Sequence, residues 1–133
     1  MPCPYFSPTH RCSEALWPHP ERLPLGGGFA GACTAPGHDG FSPAGEILHD
    51  CNLGYARCAH LPADRTSDAV RFSIRRDPQG LIAIHYVCEA AHAPVAHGVL
   101  SFDPASSQWR RRHDDVRIQR MAECCVESSG REQ

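Results

Sequence analysis

Cysteine is the residue type in this chain best suited to chemistry, and it is concentrated in the first half. Five of the eight cysteines precede residue 65, among several histidines. The N-terminus lacks the basic and apolar segments of a secretory signal, so we expect a cytoplasmic protein. Thiols stay reduced in the cytoplasm, where clustered cysteines bind metals more often than they form disulfides. The first half is therefore predicted to bind a metal.

The spacing of these five cysteines favours an iron–sulfur cluster over zinc. Successive cysteines are separated by eight, twenty, seventeen and six residues, whereas structural zinc sites use closely spaced pairs. A cluster needs four thiolates around a larger object and accepts more varied spacing. Cys12 is held as a reserve ligand. We predict a 4Fe–4S cluster bound by Cys3, Cys33, Cys51 and Cys58.

Three other interpretations of the cysteines stay open. A zinc site could combine thiolates with His49 and His60, which lie close to Cys51 and Cys58 in the sequence. The thiols could also be buried small apolar groups, or they could form disulfides. A small cysteine-dependent enzyme is less favoured, because no acid, base or phosphate-binding constellation accompanies the thiols. The glycine pattern at residues 26–31 lacks the strand and long helix of a nucleotide fold.

A short basic run in the second half is the candidate contact for a partner. The chain has a formal net charge of −2, and all thirteen of its basic residues are arginines. A net-acidic chain does not favour nucleic acid, so we expect another protein or subunit as the partner. No segment reaches the roughly eighteen apolar residues of a membrane span. The predicted partner-binding residues are Trp109, Arg110, Arg111 and Arg112.

The composition divides the chain near residue 65. Residues 1–64 are rich in cysteine, proline and glycine, which predicts mostly irregular backbone organised by the metal. One short helix is expected there at Pro43–Asn52, because a serine cap and a proline precede apolar residues at helical spacing. Residues 65–133 are expected to form a small α+β unit. The two regions could also pack as one compact domain.

The second region is predicted to be a three-stranded antiparallel meander followed by a C-terminal helix. Alternating apolar residues and turn signals place strands at Ala69–Arg76, Leu81–Cys88 and Val95–Asp103. An apolar stripe after two aspartates places a helix at Asp114–Glu127. Cys88 and Cys125 are expected in the core of this region and Cys124 is expected to be structural or free, with all three outside the metal site. The other predicted core residues are Val70, Phe72, Ile74, Ile82, Ile84, Tyr86, Val99, Phe102, Met121 and Ala122.

Together these features predict a metal-binding accessory protein rather than an enzyme. A 4Fe–4S cluster would serve electron transfer or hold the irregular half for an interaction. The alternative is a zinc-stapled protein-interaction module, in which the metal has only a structural role.

Overall fold

Six strands in two antiparallel sheets and one long helix make up the described part of the chain, which is an α+β fold. The computed structural model describes residues 3–12, 24–35, 42–43, 48, 51–52, 67, 69–91 and 93–131. The predicted boundary near residue 65 and most of the predicted helix Pro43–Asn52 lie outside these ranges. The strands and the helix are β1 (Phe6–Arg11), β2 (Phe29–Cys33), β3 (Ala69–Arg76), β4 (Ile82–Ala90), β5 (Ala93–Asp103), β6 (Gln108–Arg111) and α1 (Val116–Arg131).

The first sheet is a pair of short strands in the region that was predicted to be mostly irregular. β1 pairs with β2 from Phe6 opposite Cys33 to Arg11 opposite Phe29, with a register shift between Pro8 and His10. A proline has no N–H to donate, so it is tolerated at such a shift or at a sheet edge. The pairing therefore continues on both sides of Pro8, with a shift in register beside it.

The second sheet has four strands, in the order β3-β4-β5-β6, where the sequence predicts three. The predicted bounds of β3 coincide with the observed ones. The turn into β4 is closed by Asp77, whose Oδ1 accepts from the N–H groups of Gln79 and Leu81, each at 2.9 Å. The additional strand is β6, whose Trp109 lies opposite Phe102 of β5.

One face of the second sheet forms a core with α1. Ile84 and Leu100 lie opposite each other and are 0% and 2% exposed. Met121 and Ala122 on the helix are fully buried, as predicted. The prediction that Val99 joins this core was wrong. Its side chain points to the other face and is 37% exposed, because strict alternation along β5 gives the inner position to Leu100.

Helix α1 also holds the first sheet, through a shared apolar cluster and through hydrogen bonds of arginine side chains. Arg120 donates to the carbonyl oxygens of Pro8 and Thr9, at 2.8 and 2.6 Å, where the strand pairing shifts. Arg11 of β1 donates to Ser128 Oγ at 2.7 Å, and Ser128 in turn donates to the Leu25 carbonyl at 2.7 Å. Both sheets are therefore anchored to the same helix. No helix in the described ranges has the length and apolar character to cross a bilayer.

Candidate metal centre

Two of the predicted ligands, Cys3 and Cys51, lie side by side although they are far apart in the sequence. The backbone N–H of Cys3 donates to the Cys51 carbonyl at 3.0 Å. Their side chains are buried, with 6% and 8% of their surface exposed. Both belong to one apolar cluster with Phe6, Leu25 and Phe29. Two cysteine side chains thus lie in one apolar core.

The segment that carries Cys51 is fixed in place by its neighbour. Leu48, Cys51 and Asn52 have helical backbone conformation, at the end of the helix predicted for this region. The side-chain amide of Asn52 hydrogen-bonds to the backbone of Leu48 and of Phe29 on β2. The position of Cys51 relative to the first sheet is therefore set by buried hydrogen bonds.

Cys33 lies at the end of β2, which pairs with the strand that follows Cys3. It is opposite Phe6, whose N–H donates to the Cys3 carbonyl at 3.1 Å. Its half-buried Sγ accepts a hydrogen bond from the Ala35 N–H at 3.4 Å. Backbone donors of this kind stabilise a thiolate, and they surround the sulfur atoms of metal-bound cysteines.

The reserve ligand, Cys12, follows β1 and packs against the same apolar cluster. Its N–H donates to the Gly28 carbonyl at 2.8 Å, and burial raises the pKa of its thiol. Three other predicted ligands, Cys58, His49 and His60, lie outside the described residues.

Two cysteines of α1 enter the cluster that contains Cys3 and Cys51. Cys124 and Cys125 are 0% and 6% exposed. Burial raises the pKa of the Cys124 thiol to about 12. Burial also raises the pKa of the Cys125 thiol, and the charge of the neighbouring Cys124 adds to that rise. Sequence reasoning placed them apart from the N-terminal thiols. Their spacing from Met121, three and four residues along the helix, was the available signal that both face one core.

Cys88 occupies a separate position in the second sheet. It is 7% exposed and packs with Val70 and Ile118, in agreement with its predicted place in the core. Burial raises the pKa of Cys88, and the nearby charge of Asp115 raises it further. This cysteine therefore provides a buried thiol outside the cluster of Cys3 and Cys51.

Among the described residues, no three cysteine, histidine, aspartate or glutamate side chains are grouped closely enough to hold a metal ion. The described cysteines of this region therefore share an apolar core, but they do not form a complete coordination sphere.

The predicted partner-binding run, Trp109 to Arg112, is divided among different environments. Trp109 packs on Phe102, with 5.1 Å between ring centroids. Arg110 pairs with Asp103 at 3.7 Å, and Arg112 pairs with Glu123 at 3.6 Å. Arg111 is exposed at the edge of the second sheet. The four residues therefore do not form one continuous basic patch.

The chain matches no protein-family model, no curated protein and no solved structure.

Proposed function

We propose that this chain is a metal-binding accessory protein in which Cys3 and Cys51 are two of the four thiolate ligands of a 4Fe–4S cluster. The observation that carries the proposal is the hydrogen bond between their backbones, which brings two thiols from distant segments into one buried core. Cys33 and Cys58 complete the proposed ligand set, and Cys12 is the reserve. Cys33 pairs with Phe6, which is hydrogen-bonded to Cys3, and this supports Cys33 as a ligand.

The surroundings of these thiols suit a cluster better than isolated thiolates. An unpaired thiolate in an apolar core is strongly disfavoured, which is why burial raises the thiol pKa of cysteines in this region. Metal coordination deprotonates the thiol and compensates the charge. The cluster would also supply folding free energy to the cysteine-rich region and serve electron transfer or an interaction with a partner subunit.

The test is metal analysis of anaerobically purified protein. We expect four iron and four sulfide per chain by the definition of the cluster, and a brown colour with absorption near about 400 nm from thiolate–iron charge transfer. Cys51→Ser should lose most of the iron and sulfide. The matched control is Cys88→Ser, which alters a buried thiol in a different part of the core and should retain both.

Two outcomes would contradict the cluster. Full iron and sulfide occupancy in Cys51→Ser would exclude Cys51 as a ligand. One zinc per chain without sulfide would instead support a zinc-stapled interaction module, with His49 or His60 as further ligands, and Cys51→Ser should then lose that zinc.

A further inference from the structure

The second sheet has an exposed face opposite α1, and one row of residues near an end of that face has an arginine on each of the two edge strands. The four residues Arg75, Ala83, Ser101 and Arg111 lie side by side across β3, β4, β5 and β6. Both arginines are exposed, and the two residues between them have small side chains. The row is therefore a shallow trough with a cation at each end.

The two arginines of this row lack the partners that neutralise other arginines nearby. Arg71 pairs with Glu89 at 2.8 Å, and Arg110 pairs with Asp103 at 3.7 Å. Within the described ranges, the guanidinium groups of Arg75 and Arg111 form no ion pair and no hydrogen bond. Two uncompensated guanidinium groups on one flat surface favour a ligand that carries negative charge.

The spacing of the two arginines suits an extended peptide. Neighbouring strands are about 4.8 Å apart, so the backbones at Arg75 and Arg111 are separated by about 14 Å. An extended peptide rises about 3.3 Å per residue and repeats on one side every second residue. Carboxylates at positions i and i+4 of such a peptide are therefore about 13 Å apart, and the small Ala83 and Ser101 leave space for the side chain between them.

The same face does not suit single-stranded nucleic acid. Proteins that bind single strands stack the bases on exposed aromatic rings. The phenylalanine, tyrosine and tryptophan residues of this sheet instead pack on the face covered by α1, where Phe72, Tyr86, Phe102 and Trp109 join the apolar core. A net charge of −2 also gives the chain no general attraction for a polyphosphate.

We propose that this exposed face of the second sheet is a docking surface for an extended acidic peptide segment of a partner protein, with two carboxylates bound by Arg75 and Arg111. Guanidinium groups bind carboxylates in a bidentate geometry, which would fix the register of the peptide. The surface lies on the opposite side of the sheet from the cysteines of α1, so the proposal does not depend on the metal.

Fluorescence anisotropy with the full chain tests this surface. The probe is a labelled thirteen-residue peptide with glutamate at every fourth position and alanine or threonine elsewhere. A peptide with glutamine at the same positions should bind at least about tenfold more weakly, since it lacks the charges. Arg75→Ala and Arg111→Ala should each weaken binding about threefold, as expected for exposed ion pairs, and the double variant Arg75→Glu/Arg111→Glu should abolish it.

The matched controls are Arg71→Ala and Arg110→Ala, which remove arginines already paired with acidic neighbours and should change the affinity less than about twofold. Circular dichroism and thermal melting verify that every variant is folded. Equal binding of the glutamate and glutamine peptides would overturn the proposal, as would undiminished binding by the charge-reversed double variant. Tighter binding of a twelve-residue oligothymidine than of the glutamate peptide would also overturn it.

Discussion

The side chain of Asn52 pairs with both backbone polar groups of Phe29, as the backbone of a neighbouring strand would. Asn52 Oδ1 accepts from the Phe29 N–H at 3.1 Å, and its Nδ2 donates to the Phe29 carbonyl at 3.0 Å. The same Nδ2 donates to the Leu48 carbonyl at 3.0 Å. Asn52 and Phe29 are 1% and 0% exposed, so water cannot replace these bonds.

Asn52→Ala should lower the free energy of unfolding by about 3 kcal/mol, because it leaves two polar groups of Phe29 buried without partners. Urea denaturation followed by circular dichroism measures the change. The control is Gln108→Ala, at an exposed position of β6, which should stay within about 0.5 kcal/mol of the native value. A similarly small effect of Asn52→Ala would show that the amide contributes little to holding this segment.

Gly98 is needed because the Tyr86 ring lies directly over it. A Cβ at position 98 would lie 2.5 Å from Tyr86 Oη, and that ring also packs edge-on against His113 at 4.7 Å. We expect Gly98→Ala to lower the midpoint of thermal unfolding, at a cost of about 1–3 kcal/mol for overpacking. The double variant Tyr86→Leu/Gly98→Ala should be less destabilised than the sum of the two single changes predicts. Additive effects would mean that the two residues are not coupled.

The thiols should differ in their reactivity toward iodoacetamide in metal-free protein at pH 8. Cys33 is half-buried, whereas Cys124 is fully buried and its pKa is raised to about 12 by burial. Since the thiolate is the reactive form, Cys124 should react at least about 100-fold more slowly than Cys33. Mass spectrometry of digested protein measures the two rates, and denaturation in urea should equalise them. Equal rates in the folded protein would argue against the burial of Cys124.

The ionised side chain of Asp115 should stabilise the protein above about pH 4. Burial opposes the ionisation of Asp115 and would raise the pKa of its carboxyl. Hydrogen bonds from Arg117 and from the Ile118 N–H, together with the positive charge of Arg117, outweigh burial, so the pKa is lowered. Its Oδ1 accepts from the Arg117 N–H at 2.9 Å and thereby caps α1. A lowered pKa in the folded state gives stability that is present above the unfolded pKa of about 3.9 and is lost as the pH falls through the folded value.

Asp115→Asn should therefore cost about 1 kcal/mol at pH 7, and the difference from the native protein should shrink below about pH 3. Thermal melting at both pH values measures this. Asp114→Asn is the control, since Asp114 is the exposed carboxylate immediately before the cap. A constant difference between Asp115→Asn and the native protein at both pH values would contradict the assigned role.

The sequence predicted the second sheet better than the first for a physical reason. Alternation along Ala69–Arg76 reports directly which side chains are covered, and it assigned Arg71 and Arg75 to the exposed face that the structure shows. β1 and β2 have no such alternation. Their proline and glycine residues are typical of irregular backbone, and two of the hydrogen bonds that hold β1 come from Arg120, more than a hundred residues later in the chain. No local pattern can report a partner so distant in the sequence.

The same limit applies to the cysteines. Spacing along the chain drew attention to Cys3 and Cys51, which the structure places together. It also separated them from Cys124 and Cys125, which share their core. Thiols are grouped by tertiary packing, and the packing of α1 across both sheets is not encoded in the interval between one cysteine and the next.

The attachment of both sheets to α1 has a consequence for biosynthesis. The helix leaves the ribosome after every strand that it contacts, so Phe6 and Phe29 have no complete core to enter until Met121 emerges. At about 5–20 residues per second, roughly 5–20 s separate the synthesis of β2 from that of the helix. During this interval the nascent chain exposes aromatic surface and an open pair of strand edges. Chaperones that hold unfinished chains would therefore have the longest access to β1 and β2, the strands that are synthesised first.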